Sequence, residues 1–270
     1  MMLNTLKMKE IKFKSLDGMG IYGHLSVPKQ CKSFPALLLV SGGIHGGVKQ
    51  KDGKYDPLQI EICKYLNDGG YITFIVDKRG SKGYGEEYQS QLELCGREVE
   101  DIIAGGNYLR SLDYVVDGNI GIHAISRSST TVALALSRCS IFNAAILASG
   151  FYDIYKQYKF EEVNRPTIFP TKQSMQNKDI KEFPYKERSP INFIDDINCP
   201  ILLLHGRDDP IVPYESSIEF FNKLRGKGKQ VELILYNNFM HFKRYSYPSH
   251  PIGRKIWDDC ITFLNKNVTK

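Results

Sequence analysis

No C-x-x-C pair occurs in this chain. Its six cysteines stand alone at 31, 63, 95, 139, 199 and 260, which excludes a zinc ribbon and a thioredoxin-like motif. Cys63, Cys139 and Cys260 fall within apolar helical patterns, where cysteine acts as a small hydrophobe; free thiols in a reducing compartment are expected. The first ten residues have no signal-peptide apolar core. The longest strongly apolar runs, 36–40 and 201–204, are far short of the roughly 20 residues of a membrane span. These absences lead us to expect a soluble, cytoplasmic protein that does not engage a membrane. Neither charge sign dominates: 36 basic and 30 acidic residues leave a net charge of +6. The densest basic stretch, 223–229, reads as a solvated helix end and turn rather than a stripe, so no nucleic-acid partner is expected. Internal repeats and low-complexity tracts are missing as well.

What is present is an alternation of strand-like and helix-like segments. With 270 residues, of which 42% are hydrophobic, the chain can build one large α/β domain or two small ones. Segments 9–15 and 20–27 alternate around Asp17-Gly18, a hairpin signal. Continuous apolar runs at 36–40, 144–148 and 201–204 suit strands covered on both faces, and 71–76, 119–125 and 231–235 are further strand-like runs. Helical spacing appears at 58–66, 99–109, 128–139, 214–224 and 252–263. Such alternation implies a mostly parallel central sheet with helices on both faces. Residues 151–195 mix tyrosine, phenylalanine, lysine and proline without a clean period, and an inserted cap or lid is expected there within a single domain.

Ser126 carries the chemistry. It ends the strand-like run 119–125 and opens the helix-like run, as the nucleophile elbow of an α/β-hydrolase does. Read alone, it would be a helix N-cap. Asp209 and His241 follow the next strands, and the order Ser, Asp, His is that of the α/β-hydrolase fold. A serine hydroxyl is a weak nucleophile near neutral pH and needs a base, for which imidazole is suited; the base needs an orienting carboxylate. The expected catalytic residues are therefore Ser126, His241 and Asp209. The backbone N–H groups of Arg127 and Gly43 are the expected oxyanion donors, each worth about 3–4 kcal/mol in the transition state. Asp208 is a rival orienter, and Ser128 and Ser129 are rival nucleophiles, read instead as a turn residue and as helix packing. His205 and His123 are read as structural, and His45 as a loop residue of the glycine-rich segment after Val40.

Taken together, the motifs resemble the catalytic domain of the prolyl oligopeptidase family and its stand-alone esterase relatives. Arg79-Gly80-Ser81 and Gly83-Tyr84-Gly85 match that family's RGS-x-GYG loop. Ser189-Pro190-Ile191, the run from Cys199 to Gly206, and Asp209 with Val212-Pro213 match its later segments. The resemblance spans about residues 38–242 and implies the hydrolase core without the family's propeller. It also implies a structural Arg79 and a reaction needing neither metal nor organic cofactor. The elbow departs from the family's Gly-x-Ser-x-Gly-Gly: here it reads Ala124-Ile125-Ser126-Arg127-Ser128-Ser129. Serine at the two later positions is expected to alter helix packing or the oxyanion hole. Ser41-Gly42-Gly43 likewise replaces the family's HGG, and no family motif marks the substrate pocket. The resemblance implies a serine hydrolase of an acyl ester, thioester or amide, with carboxylic-ester cleavage first. A peptidase reading would use Glu161 or Glu162 to hold a substrate amine, and a third reading is a hydrolase-fold binding protein with little activity. Substrate identity and oligomeric state are left open.

Overall fold

Strand β1 (Lys9–Lys14) and strand β2 (Gly20–Ser26) form an antiparallel hairpin. Its turn is closed by Ser15 N–H donating to the Met19 carbonyl at 2.8 Å, with Gly18 at φ +84°, a conformation costly for other residues. The computed structural model describes residues 6–28, 33–50, 52–165, 170–175, 181–241 and 246–268. Within them the hairpin leads to β3 (Phe34–Val40), β4 (Ile72–Asp77), β5 (Val115–Ile125), β6 (Ala144–Ala148), β7 (Ile201–Gly206) and β8 (Val231–Tyr236). The described strands make one sheet in the order β1-β2-β4-β3-β5-β6-β7-β8. β2 joins β4 antiparallel, and every later pairing is parallel.

Two-residue alternation puts the core on both faces. On β3, Ala36, Leu38 and Val40 belong to one buried cluster while Leu37 and Leu39 belong to the other. The helices are α1 (Pro57–Asp68), α2 (Glu86–Ser90), α3 (Glu98–Arg110), α4 (Arg127–Leu136), α5 (Ile154–Asn164), α6 (Pro170–Ser174), α7 (Tyr185–Arg188), α8 (Glu215–Gly226) and α9 (Pro251–Asn267). Val99 of α3, Val132 of α4 and Phe220 of α8 pack in the first cluster; Cys63 of α1 and Trp257 of α9 pack in the second. This is the α/β-hydrolase architecture.

The helix after Ser126 stops at Leu136 rather than running to 139, where Ser137 Oγ turns back to the Leu134 carbonyl at 2.8 Å. Cys139 therefore lies past the helix end and is half-buried, whereas Cys63 and Cys260 are fully buried; Cys31 lies outside the described residues. Segment 151–195 folds into α5, α6, α7 and two short 3-10 turns, with 166–169 and 176–180 outside the described residues. Among the described residues no helix is long and apolar enough to cross a membrane.

Candidate active site

Ser126 sits where β5 hands over to α4. Its backbone is held at φ 57° and ψ −132°, far from helix or strand. Ser126 N–H donates to the Ala148 carbonyl at 2.7 Å, which pins the turn to β6, and Ser129 N–H closes the first helical turn on the Ser126 carbonyl at 2.8 Å. The hydroxyl emerges above the sheet and lies 2.9 Å from His241 Nε2. His241 Nδ1 donates to Asp209 Oδ2 at 2.7 Å. Three residues from three loops, at the ends of β5, β7 and β8, thus form one hydrogen-bonded chain.

Asp209 is held rigidly. Its Oδ1 accepts from the Ile211 and Val212 N–H groups at 2.9 and 3.0 Å. Its Oδ2 lies 3.3 Å from His205 Nε2, which is also 3.1 Å from the Val212 carbonyl. Carboxylate and carbonyl only accept, so His205 Nε2 carries the proton and Nδ1 accepts from Ser217 Oγ at 2.7 Å. Burial pushes the Asp209 carboxyl up, but hydrogen bonds from His205, His241 and Val212 outweigh it and hold the group well below the usual aspartate range. His205 is thus a structural residue at a strand end that also braces the carboxylate. Asp208 is exposed, and its N–H bonds the Phe239 carbonyl at 3.1 Å.

The altered elbow is tied down by its own hydroxyls. Ser128 Oγ donates to the Ser41 carbonyl at 2.6 Å and Ser129 Oγ to the Ala148 carbonyl at 2.9 Å, both fully buried. Each serine joins α4 to the end of a strand, so both are packing residues. The Arg127 side chain is held in a buried bidentate pair with Glu98. Gly43 is at φ +87° in the loop beside the elbow. A Cβ on neighbouring Gly42 would stand 2.8 Å from the Ile125 carbonyl, so this loop packs directly on the strand that carries Ser126.

The loop after β4 braces the glycine-rich loop. Asp77 Oδ1 accepts from Val48 N–H at 2.8 Å, Ser81 Oγ donates to the Gly46 carbonyl at 2.7 Å, and the His45 ring donates to the Gly80 carbonyl at 2.7 Å. Arg79, 1% exposed, anchors the brace through Asp101 at 2.7 Å and Asp17 at 2.8 Å. The His123 ring lies tilted against Trp257, with ring centroids 4.9 Å apart, and burial lowers its pKa to about 4.

A cavity of about 490 Å³ opens on this chain of residues. Ser126, Arg127, Gly43 and His241 border it on one side. Phe151, Gln157, Glu161 and Arg165 border it from the segment between β6 and β7. Glu161 is buried there, whereas Glu162 is exposed and bonded to Lys159 and Tyr158. Gln157 and Arg165 were not singled out from the sequence. Gln157 shares a face of α5 with Glu161 at four-residue spacing, Arg165 follows four residues later as the C-cap just past the helix, and that spacing was the available signal. Among the described residues, no group of three or more His, Cys, Asp or Glu side chains is placed to hold a metal ion.

A serine, imidazole and carboxylate in register at a strained strand-to-helix turn, on this sheet, place the chain in the α/β-hydrolase fold class. More narrowly, the chain belongs to the prolyl oligopeptidase family, whose model matches residues 59–270. It is 25% identical over 255 residues to an uncharacterized peptidase of Bacillus subtilis, covering 91% of this chain and 37% of that one. It is also 25% identical over 244 residues to the acylamino-acid-releasing enzyme of Arabidopsis thaliana, covering 80% of this chain and 30% of the relative. The acylaminoacyl peptidase of Pyrococcus horikoshii superposes with a TM-score of 0.84 at 23% identity, over 100% of this chain and 43% of that one. The chain therefore spans roughly a third of the length of the curated relatives it matches.

Proposed function

We propose that this protein hydrolyses a peptide-like acyl bond through an acyl-enzyme on Ser126. The observation that carries the reading is the continuous chain from Ser126 Oγ to His241 to Asp209, opening on a cavity. In this reading His241 Nε2 takes the hydroxyl proton as Ser126 attacks the carbonyl, then gives it to the leaving amine or alcohol; water repeats the sequence to release the acid. Asp209 fixes the tautomer and stabilises the imidazolium without accepting its proton. The Gly43 and Arg127 N–H groups hold the oxyanion, and the Glu98 pair fixes the Arg127 side chain. Segment 151–195 serves as the cap.

Esters come first on sequence grounds alone. The relatives' names favour amides: they are peptidases and acylamino-acid-releasing enzymes. We therefore place peptide-like amides first and keep esters, which the same machinery cleaves more easily, as a second substrate class.

Fluorophosphonate labelling with peptide mapping tests this. An adduct on Ser126 that disappears in His241→Ala supports an activated serine. Folded wild-type protein without an adduct would sink the proposal and favour a binding role.

A further inference from the structure

One lobe of the cavity is built from buried polar side chains rather than the apolar wall expected of a hydrophobic pocket. Gln157, Glu161 and Thr171 are 3%, 2% and 3% exposed, and all three line it together with Arg165. Their hydrogen bonds are unevenly filled. Glu161 Oε1 accepts from Gln157 Nε2 at 2.9 Å and from Thr171 Oγ1 at 2.8 Å, and Oε2 accepts from Thr171 N–H at 3.0 Å. Gln157 Nε2 also donates to the Ile211 carbonyl at 3.0 Å. Two groups are left over. Gln157 Oε1 and Arg165 Nη1 are buried with no hydrogen-bond partner. Arg165 has no ion-pair partner among the described residues.

Buried polar atoms without partners are uncommon, and a donor and an acceptor left over on one cavity wall are suited to a polar occupant. The lobe shows one unfilled acceptor and one unfilled donor in the same cavity as Ser126. The acceptor cannot become a donor by flipping the Gln157 amide. Both hydrogens of Nε2 are committed to groups that only accept, so a flip would lose two bonds and turn two oxygens toward each other.

We propose that this lobe receives a primary carboxamide, the side chain of glutamine or asparagine beside the scissile bond. The carboxamide oxygen would accept from Arg165 Nη1 and its NH₂ would donate to Gln157 Oε1. Other side chains fit less well. A carboxylate would meet Arg165 but face the Gln157 oxygen and the Glu161 carboxyl. An ammonium would meet those oxygens but face the Arg165 cation. An apolar side chain would leave both buried groups unmet, which polar sites reject strongly. The same geometry argues against Glu161 as an amine holder, because its oxygens are already supplied with donors from Gln157 and Thr171.

The proposal rests on the acyl-enzyme reading only for turnover, so a binding arm separates the two. N-acetyl dipeptide amides with glutamine, leucine, glutamate or lysine on either side of the central bond are assayed for kcat/KM with wild type. Their binding to Ser126→Ala is measured by calorimetry. Glutamine is expected to exceed the other three at one of the two positions by at least about tenfold in both arms. Arg165→Met, which breaks no existing hydrogen bond, should remove most of that margin; Gln157→Leu should shift preference toward leucine. Preference for leucine, glutamate or lysine, or a margin unchanged in Arg165→Met, would overturn the assignment. Glutamine-selective binding without turnover would support the lobe and refute the hydrolase reading.

Discussion

The strain at Ser126 makes a prediction that opposes ordinary expectation. At φ 57° and ψ −132° a residue with a Cβ costs about 1–3 kcal/mol, a cost glycine largely escapes. Glycine elsewhere costs about 0.5–1 kcal/mol relative to alanine through its greater unfolded-state freedom. Ser126→Ala and Ser126→Gly both lose the hydroxyl and its 2.9 Å contact with His241, so that loss cancels in the comparison. The difference left is strain relief less entropy, and Ser126→Gly should be more stable than Ser126→Ala by about 0.5–2 kcal/mol. At this chain length that is a rise of about 1–4 °C in Tm, readable by calorimetry, with the stability difference itself readable by urea unfolding. Thr262, exposed in the middle of α9, supplies the control: there alanine should exceed glycine by about 1 kcal/mol. If alanine matches or exceeds glycine at 126 as it does at 262, the elbow stores no strain and the reasoning fails.

Three further outcomes are expected. Asp209→Asn should lower kcat by about 10⁴-fold with little change in KM, because an amide can present the wrong group to His241 Nδ1; a drop below about tenfold would remove Asp209 from the mechanism. Arg79→Ala should destabilise by about 3–5 kcal/mol in urea unfolding, since it strands the fully buried Asp101 carboxylate, and a loss under about 1 kcal/mol would contradict the brace. His123 has its folded-state pKa lowered from 6.5 to about 4 by burial, so as pH falls the unfolded chain takes the proton first. Its contribution is present in full above about pH 6.5 and is lost on acidification toward pH 4, at no more than about 1.4 kcal/mol per pH unit. His123→Phe should flatten that part of the stability profile, and an unchanged slope would refute it.

The sheet and the hydrogen-bonded chain at its edge were legible because each rests on short-range pattern. Runs such as 36–40 are apolar at every position since both faces of the sheet are covered, and the turn at Ser126 follows from a strand stopping where a helix begins. Ser128 and Ser129 were legible as a departure but not in effect, because their partners, the Ser41 and Ala148 carbonyls, lie 87 and 19 residues away. The short helix α2 escaped notice for a simpler reason: five residues with a single buried side chain, Tyr88, make no period.

Segment 151–195 failed as a pattern for a physical cause that bears on function. Apolar periodicity finds a helix whose apolar side faces inward. On α5, buried Gln157 and Glu161 face the cavity, while Val163 is 77% exposed and Tyr155 47% exposed. A hydrophobic core would not tolerate that arrangement, because each buried polar atom must find a partner. Here Gln157 and Thr171 supply the Glu161 oxygens, and only Gln157 Oε1 and Arg165 Nη1 are left for a polar occupant. The absence of a helical period over 151–165 therefore reflects polar side chains on the cavity-facing side of α5. A search for four-residue spacing of Gln, Glu and Arg would have located it beside the segment that follows β6.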